Sequence, residues 1–174
     1  MSKIFFTAGT YQERKKVVGL RFELLFLGKT RETYLAAGIA DYTKRLRRYT
    51  ATDIKVLKEK KPQKGEPENL LIERESEILL QNAQGPCLVC LDRTGKQLDS
   101  LELAARIEQW EMQGQKKITF IIGGHLGLSP AVLSRADLVF SLSRLTLTHE
   151  MSRLLLLEQL YRACTIKAGE KYHK

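Results

Sequence analysis

An α/β domain, built on a mostly parallel sheet with helices on both faces, is the fold class this chain predicts. Short apolar runs of strand length alternate with longer amphipathic stretches almost throughout. That is the pattern of parallel strands joined by helical crossovers. Three successive apolar runs, ending near Leu91, Ile122 and Leu142, each open into a loop carrying Gly, Ser or Thr. If those strands are neighbours, their loops converge at one edge of the sheet, where α/β proteins place ligands. At 174 residues the chain is long enough for one domain with a real core.

Taken in order, residues 1–20 read as an N-terminal extension. A short apolar start is followed by Tyr11-Gln12-Glu13-Arg14-Lys15-Lys16, which has no usable period. The fold is expected to begin at Arg21 with the strand-like RFELLFLG, so that residues 21–174 form a single domain. Thr30 is the expected N-cap of a helix on which Tyr34, Leu35, Ile39, Tyr42 and Leu46 recur at helical spacing. Lys44, Arg45, Arg47 and Arg48 at its end form either a solvated face or a contact for RNA phosphates.

Thr52 to Leu57 alternates like a strand. Residues 58–67, KEKKPQKGEP, hold two prolines, a glycine and four lysines, and read as a mobile basic loop. Glu68 to Ala83 is amphipathic, with Leu71, Glu75, Ile78 and Leu79 marking the period. Cys87 to Asp92 reads as a buried strand and Asp92 to Lys96 as the loop after it. Asp99 with Glu102 predicts a capping box for a helix that ends at Gly114. Lys117 to Ile122 is a strand. Ser129-Pro130 opens a short helix, with Ser as cap and Pro at its first position. Asp137 to Leu142 is the last strand and Glu150 to Thr165 the last helix.

The balance of 29 Lys and Arg against 20 Asp and Glu, net +9, suits a polyanionic partner such as nucleic acid, or simply solubility. No apolar stretch approaches the roughly 20 residues of a membrane span. The N-terminal apolar core is too short for a secretory signal. Three cysteines give no complete disulfide framework and agree with a reducing, cytoplasmic compartment. Cys87 and Cys90 spell C-x-x-C, but residues three apart on a strand face opposite ways. No second pair completes a zinc set, so no metal is expected.

Gly123-Gly124, directly after a buried strand, marks a place where backbone approaches something closely. Spacing leaves a phosphate loop and a tight strand-to-helix turn equally open, because no Walker pattern accompanies it. The hydroxyl-bearing loop from Leu142 to Thr148 suits an adenine held between leucines, or a surface loop tucked onto the core. His149 is expected to cap or pack at the start of the last helix, with substrate binding and proton transfer as the other readings. That helix carries leucines around more than one side, so it is buried on two sides or in a subunit contact. Glu158 and Arg162 are four apart and can pair. Lys167, Lys171, Tyr172, His173 and Lys174 combine charge with rings, which suits RNA phosphates and bases or a solvated tail.

The stretch IIGGHLGLS, then LSRLTLTHEMSRLLLLEQLYRA and the ending GEKYHK, resembles the ribosomal RNA large-subunit methyltransferase H family. These are pseudouridine N3-methyltransferases of the SPOUT superfamily. VCLDRTGK and LRFELLFLGKTRETYLAAGIADYTKRL are similar too, so the resemblance spans Leu20 to Lys174. It implies a C-terminal trefoil knot, which periodicity does not reveal, and a homodimer with its active site near the subunit contact. It implies S-adenosyl-L-methionine as cofactor, held by Leu91, Gly123, Leu142, Ser143, Arg144, Leu145, Thr146 and Leu147. The sequence departs from the family in residues 1–20, which extend beyond its usual start. It also departs at Thr148, where the family often has Pro, a change expected to loosen that turn.

The reaction implied is methylation of N3 of a pseudouridine in large-subunit ribosomal RNA, free or in the ribosome. N3 is an imide nitrogen that must lose its proton. His173 and Glu158 are the candidates for handling that proton. Arg162 would steady developing charge or orient Glu158, and Tyr172 would stack on the base. Arg144 and the tail lysines would hold phosphates. A SPOUT enzyme acting at another RNA position, or a non-catalytic RNA- or ribosome-binding protein, are the alternatives.

Overall fold

The computed structural model describes residues 19–173, of which His173 is described in its backbone only. The expected extension therefore lies outside the described residues except for Gly19 and Leu20, as does Lys174. Five strands form one sheet: β1 (Arg21–Leu27), β2 (Ala51–Leu57), β3 (Cys87–Gln97), β4 (Lys117–Ile122) and β5 (Leu138–Ser141). Their order is β2-β1-β4-β3-β5, and every pair is parallel. The expected mostly parallel sheet is wholly parallel among the described residues, and β3, β4 and β5 are indeed neighbours. Five α-helices connect or follow the strands: α1 (Thr33–Leu46), α2 (Glu68–Asn82), α3 (Ser100–Met112), α4 (Pro130–Ser134) and α5 (His149–Lys167). A 3-10 turn, Lys171–His173, closes the described chain.

Both faces of the sheet are covered, as a parallel sheet requires. On one, Phe22, Phe120 and Val89 meet Ile107 and Trp110 of α3 and Leu156 and Leu160 of α5. On the other, Leu25, Ile121 and Leu88 meet Leu79 of α2 and Val132 of α4. Cys87 belongs to the first core and Cys90 to the second, the alternation expected of a strand. Burial pushes both thiols up to about 12. They are protonated apolar fillers at neutral pH.

Three local expectations need correction. Asp92–Lys96 is not a loop after a finished strand but a bulge inside β3. Phe140 of β5 pairs with both Leu91 and Lys96, and Gln97 continues against Ser141. Gly95 makes this possible, because a Cβ there would stand 2.6 Å from the Val139 carbonyl. The bulge itself is tied by Asp92, whose Oδ1 accepts from the Thr94 amide at 2.8 Å and hydroxyl at 2.6 Å.

Thr30 does not cap α1, which starts at Thr33 after Glu32. Its hydroxyl accepts instead from Arg153 Nη1 at 3.0 Å. The Arg31 and Glu32 amides just ahead of the helix donate to the Glu150 carboxylate at 3.0–3.1 Å. A tertiary contact thus overrides the local signal. Finally, of the two expected roles of His149, capping and packing, only packing agrees with the structure: it is half-buried and does not cap α5. Thr148 does, accepting from the Met151 amide at 3.2 Å. The residue standing where the family often has Pro therefore supplies a hydrogen-bonded start to the helix.

The expected capping box of α3 is complete. Asp99 Oδ1 accepts from the Glu102 amide at 2.7 Å, and Glu102 Oε2 accepts from the Asp99 amide at 2.8 Å. Asp99→Ala is expected to lower unfolding free energy by about 1 kcal/mol, read as a lower urea midpoint at unchanged slope.

Candidate functional site

A crevice of about 630 Å3 opens at the carboxyl ends of β3, β4 and β5. That lies within the roughly 300–1,000 Å3 of small-molecule sites. Each wall comes from one strand end. The β3 bulge contributes Leu91, Asp92 and Arg93; the loop after β4 contributes Gly123 to Gly127; the loop after β5 contributes Leu142, Ser143 and Leu145 to Thr148. His149 and Ser152 close it from the first turn of α5.

The loop after β4 folds onto itself. Gly124 and Gly127 form an antiparallel bridge, and the Gly127 amide donates to the Gly124 carbonyl at 3.2 Å. A Cβ on Gly123 would lie 2.5 Å from the Gly127 oxygen. The close approach foreseen at the glycine pair is thus made by the loop's own backbone, which clears the crevice wall of side chains at that point. In the loop after β5, the Ser141 hydroxyl donates to the Ser143 carbonyl at 2.9 Å, and Ser143 Oγ accepts from the Leu145 amide at 3.0 Å. These bonds turn the chain so that Leu142 and Leu147 are half-buried at the crevice while Leu145 is 74% exposed beside it.

Leu91, Gly123, Leu142, Ser143, Leu145, Thr146 and Leu147 are therefore brought together by the fold. Arg144 is exposed next to them and is not part of the crevice lining. The other expected set assembles elsewhere. Glu158 Oε1 accepts from Arg162 Nε at 3.1 Å and from the Tyr172 hydroxyl at 3.3 Å, and its Oε2 accepts from Gln159 at 2.6 Å. The Arg162 guanidinium lies 4.9 Å from the Tyr172 ring centre. Tyr172 also meets Tyr42 at 3.3 Å through their hydroxyls and packs on Tyr161. His173 ends this turn, with its side chain outside the described residues. Arg162 stands ten residues along α5 from Ser152, about 15 Å at 1.5 Å rise per residue. Within one chain, Glu158, Arg162 and Tyr172 do not enter the crevice.

Asp92, His125 and Ser152 line the crevice without having been expected there. His125 sits inside the glycine loop, and Asp92 directly follows an apolar strand; both positions were readable signals. Ser152 had none, since its neighbours in sequence are ordinary for a helix surface. His149 is half-buried, 4.0 Å from Glu150. Burial, followed by the nearby Arg153 charge, pushes its pKa below 6.5, outweighing the Glu150 carboxylate. The crevice thus presents a neutral imidazole at pH 7. Its chemistry is that of an apolar slot with hydroxyls and free backbone, suited to a ring flanked by polar substituents.

Residues 20–173 match the model of the family described as Predicted SPOUT methyltransferase. Ribosomal RNA large subunit methyltransferase H of Desulfotalea psychrophila is 48% identical over 157 residues, covering 89% of this chain and 100% of that protein. The protein of the same name from Symbiobacterium thermophilum is 44% identical over 161 residues, with 89% and 100% covered. That from Bifidobacterium animalis is 43% identical over 159 residues, again with 89% and 100% covered.

The lowered pKa of His149 carries a sign. The unfolded chain binds its proton more tightly, so stability is full above pH 6.5 and is lost as pH falls through the lower, folded value. His149→Asn is expected to flatten the loss of thermal midpoint between pH 7 and pH 5. A variant whose midpoint fell as steeply as the parent's would contradict it.

Proposed function

We propose that this chain, which belongs to the SPOUT methyltransferase family, methylates N3 of a pseudouridine in large-subunit ribosomal RNA with S-adenosyl-L-methionine as donor. It is an RNA methyltransferase by family and by near full-length identity to proteins named for ribosomal RNA methylation. The position and the donor are the finer reading. The observation that supports it is the three-walled crevice, whose lining includes Leu91, Gly123, Leu142, Ser143, Leu145, Thr146 and Leu147 of the residues that the resemblance implies for the cofactor, but not Arg144.

The crevice suits the donor. Leucines from two loops can enclose an adenine, the Ser143 and Thr146 hydroxyls and free loop backbone can meet its polar edges, and Gly123 keeps side chains out of its path. When bound, the donor supplies a methyl group already activated by its sulfonium. The protein's own residues must then align the acceptor and manage the N3 proton.

Glu158 already accepts from Arg162, Tyr172 and Gln159. Its lone pairs are committed, which suits orienting rather than taking a proton. Arg162 then offers positive charge to the N3 anion as it forms. Tyr172, held by Glu158 and Tyr42, offers a ring face to the base. His173 remains as the proton acceptor. Because one chain keeps this set about 15 Å along α5 from its own crevice, a homodimer that brings one protomer's tail to its partner's crevice is part of the proposal. Half-buried Leu155, which belongs to neither core cluster among the described residues, supports such a contact. Arg144, exposed at the rim, would hold a phosphate. The C-terminal trefoil knot belongs to the same reading. Its support is family membership. No described helix is long and apolar enough to cross a membrane, and the proposed workplace is the cytoplasm, at the ribosome.

Mass mapping of ribosomal RNA from a strain lacking the gene is expected to show one methyl group missing from a pseudouridine of the large subunit. An unchanged methylation state there contradicts the assignment. With donor and ribosomes saturating, His173→Ala is expected to lower turnover by at least about 100-fold while donor affinity, read by calorimetry, stays the same. Full turnover would remove His173 from the mechanism.

A further inference from the structure

A second cavity, of about 910 Å3, adjoins the crevice at the carboxyl ends of β1 and β2. His125 and His149 line both, so the two spaces are neighbours. Its rim is cationic. Lys29 and Arg31 come from the loop after β1, and Lys58, Lys60 and Lys61 from the basic loop after β2. All five are exposed. Among the described residues none of these four lysines has a carboxylate within ion-pair distance, and Arg31 reaches Glu59 only at 3.9 Å. Of the carboxylates here, Glu150 is committed to the Arg31 and Glu32 amides.

The wall holds a buried acid. Glu75 is 4% exposed, and its Oε2 has no hydrogen-bond partner among the described residues. A buried acceptor without a donor is costly, so it asks for one from outside the fold. Lysines at the rim with no ion pair among the described residues, and one carboxyl oxygen within that lacks a donor, suit a ligand with a negative backbone and an N–H-bearing ring. Single-stranded RNA has both features.

We propose that this cleft binds a nucleotide of the RNA substrate next to the one that is methylated. Its phosphates lie on Lys58, Lys60 and Lys61, and a donor on its base edge meets Glu75. The inference rests on the RNA-methyltransferase reading and extends it by a subsite that determines which RNA is accepted. The shared lining of His125 and His149 sets the neighbouring nucleotide beside the crevice.

The test is binding of single-stranded RNA of roughly ten nucleotides across a salt series, beside methylation of ribosomes by the same preparations. Lys58→Ala/Lys60→Ala/Lys61→Ala is expected to reduce the slope of log affinity against log salt by about 0.7 for each phosphate no longer neutralised, with methyl-donor binding unchanged. Glu75→Gln is expected to keep that slope and change the rank order of affinities for oligo(A), oligo(C) and oligo(U). An unchanged slope in an enzyme that still methylates ribosomes overturns the cleft and leaves the function standing. A lysine-dependent slope in a protein that methylates nothing keeps the cleft and removes the function. Equal lysine dependence with a poly-glutamate peptide overturns the nucleotide in favour of an acidic protein partner, and an unchanged rank order overturns the role of Glu75.

Discussion

Burial of the Arg153 guanidinium fixes the start of the last helix to the end of the first strand, and both cavities depend on it. Arg153 is 0% exposed. Its Nη2 donates to the Leu27 carbonyl, its Nη1 to Thr30, and its plane lies 5.0 Å from the Phe26 ring centre. Burial pulls its pKa down from the ordinary arginine range, against the raising influence of Glu150 and Glu59. A charge taken from water is tolerated only where such partners replace hydration. One turn earlier, Glu150 takes the amides ahead of α1. Burial pushes this carboxyl up, but those amides and the neighbouring Arg153 charge hold it below the ordinary range. Two side chains of one helical turn thereby tie α5, β1 and α1 into a rigid corner. His149 and Ser152 face the crevice from that corner, and Glu150 faces the cationic cleft.

The division of labour follows from the strand order. With β4 between β1 and β3, the C-terminal strands group at one side of the sheet and the first two at the other. Loops after β3, β4 and β5 enclose an apolar slot with free backbone. Loops after β1 and β2 present lysines. One sheet edge thus sets an apolar crevice beside a cationic cleft, with His149 and the glycine loop lining the boundary between them. The tail residues Glu158, Arg162 and Tyr172 form a finished hydrogen-bonded set on the other half of α5.

Much of this was legible in the sequence. Strand-length apolar runs located every strand. Asp99 with Glu102 and Ser129-Pro130 located helix starts, because these signals are local. The three-loop convergence was also foreseeable from strand ends alone. What failed were positions where a distant residue outbids a neighbour. Thr30 looked like a cap, but Arg153, 123 positions away, uses its hydroxyl. Asp92 to Lys96 looked like a loop end, but Gly95 lets β5 resume pairing. Arg153 itself, a charge among leucines, and Glu75, an acid on an apolar stripe, were visible anomalies whose meaning needed the third dimension. The separation of Glu158 and Arg162 from the crevice was readable from helical rise, since ten residues between Ser152 and Arg162 span about 15 Å.

The most direct measurement is a crystal structure of the protein with S-adenosyl-L-methionine. The donor is predicted between Leu91, Gly123 and the Leu142–Leu147 loop, with its methyl group facing the partner protomer's Arg162 and Tyr172. A donor bound elsewhere, or seated there with only its own chain's tail within reach, would contradict the shared crevice.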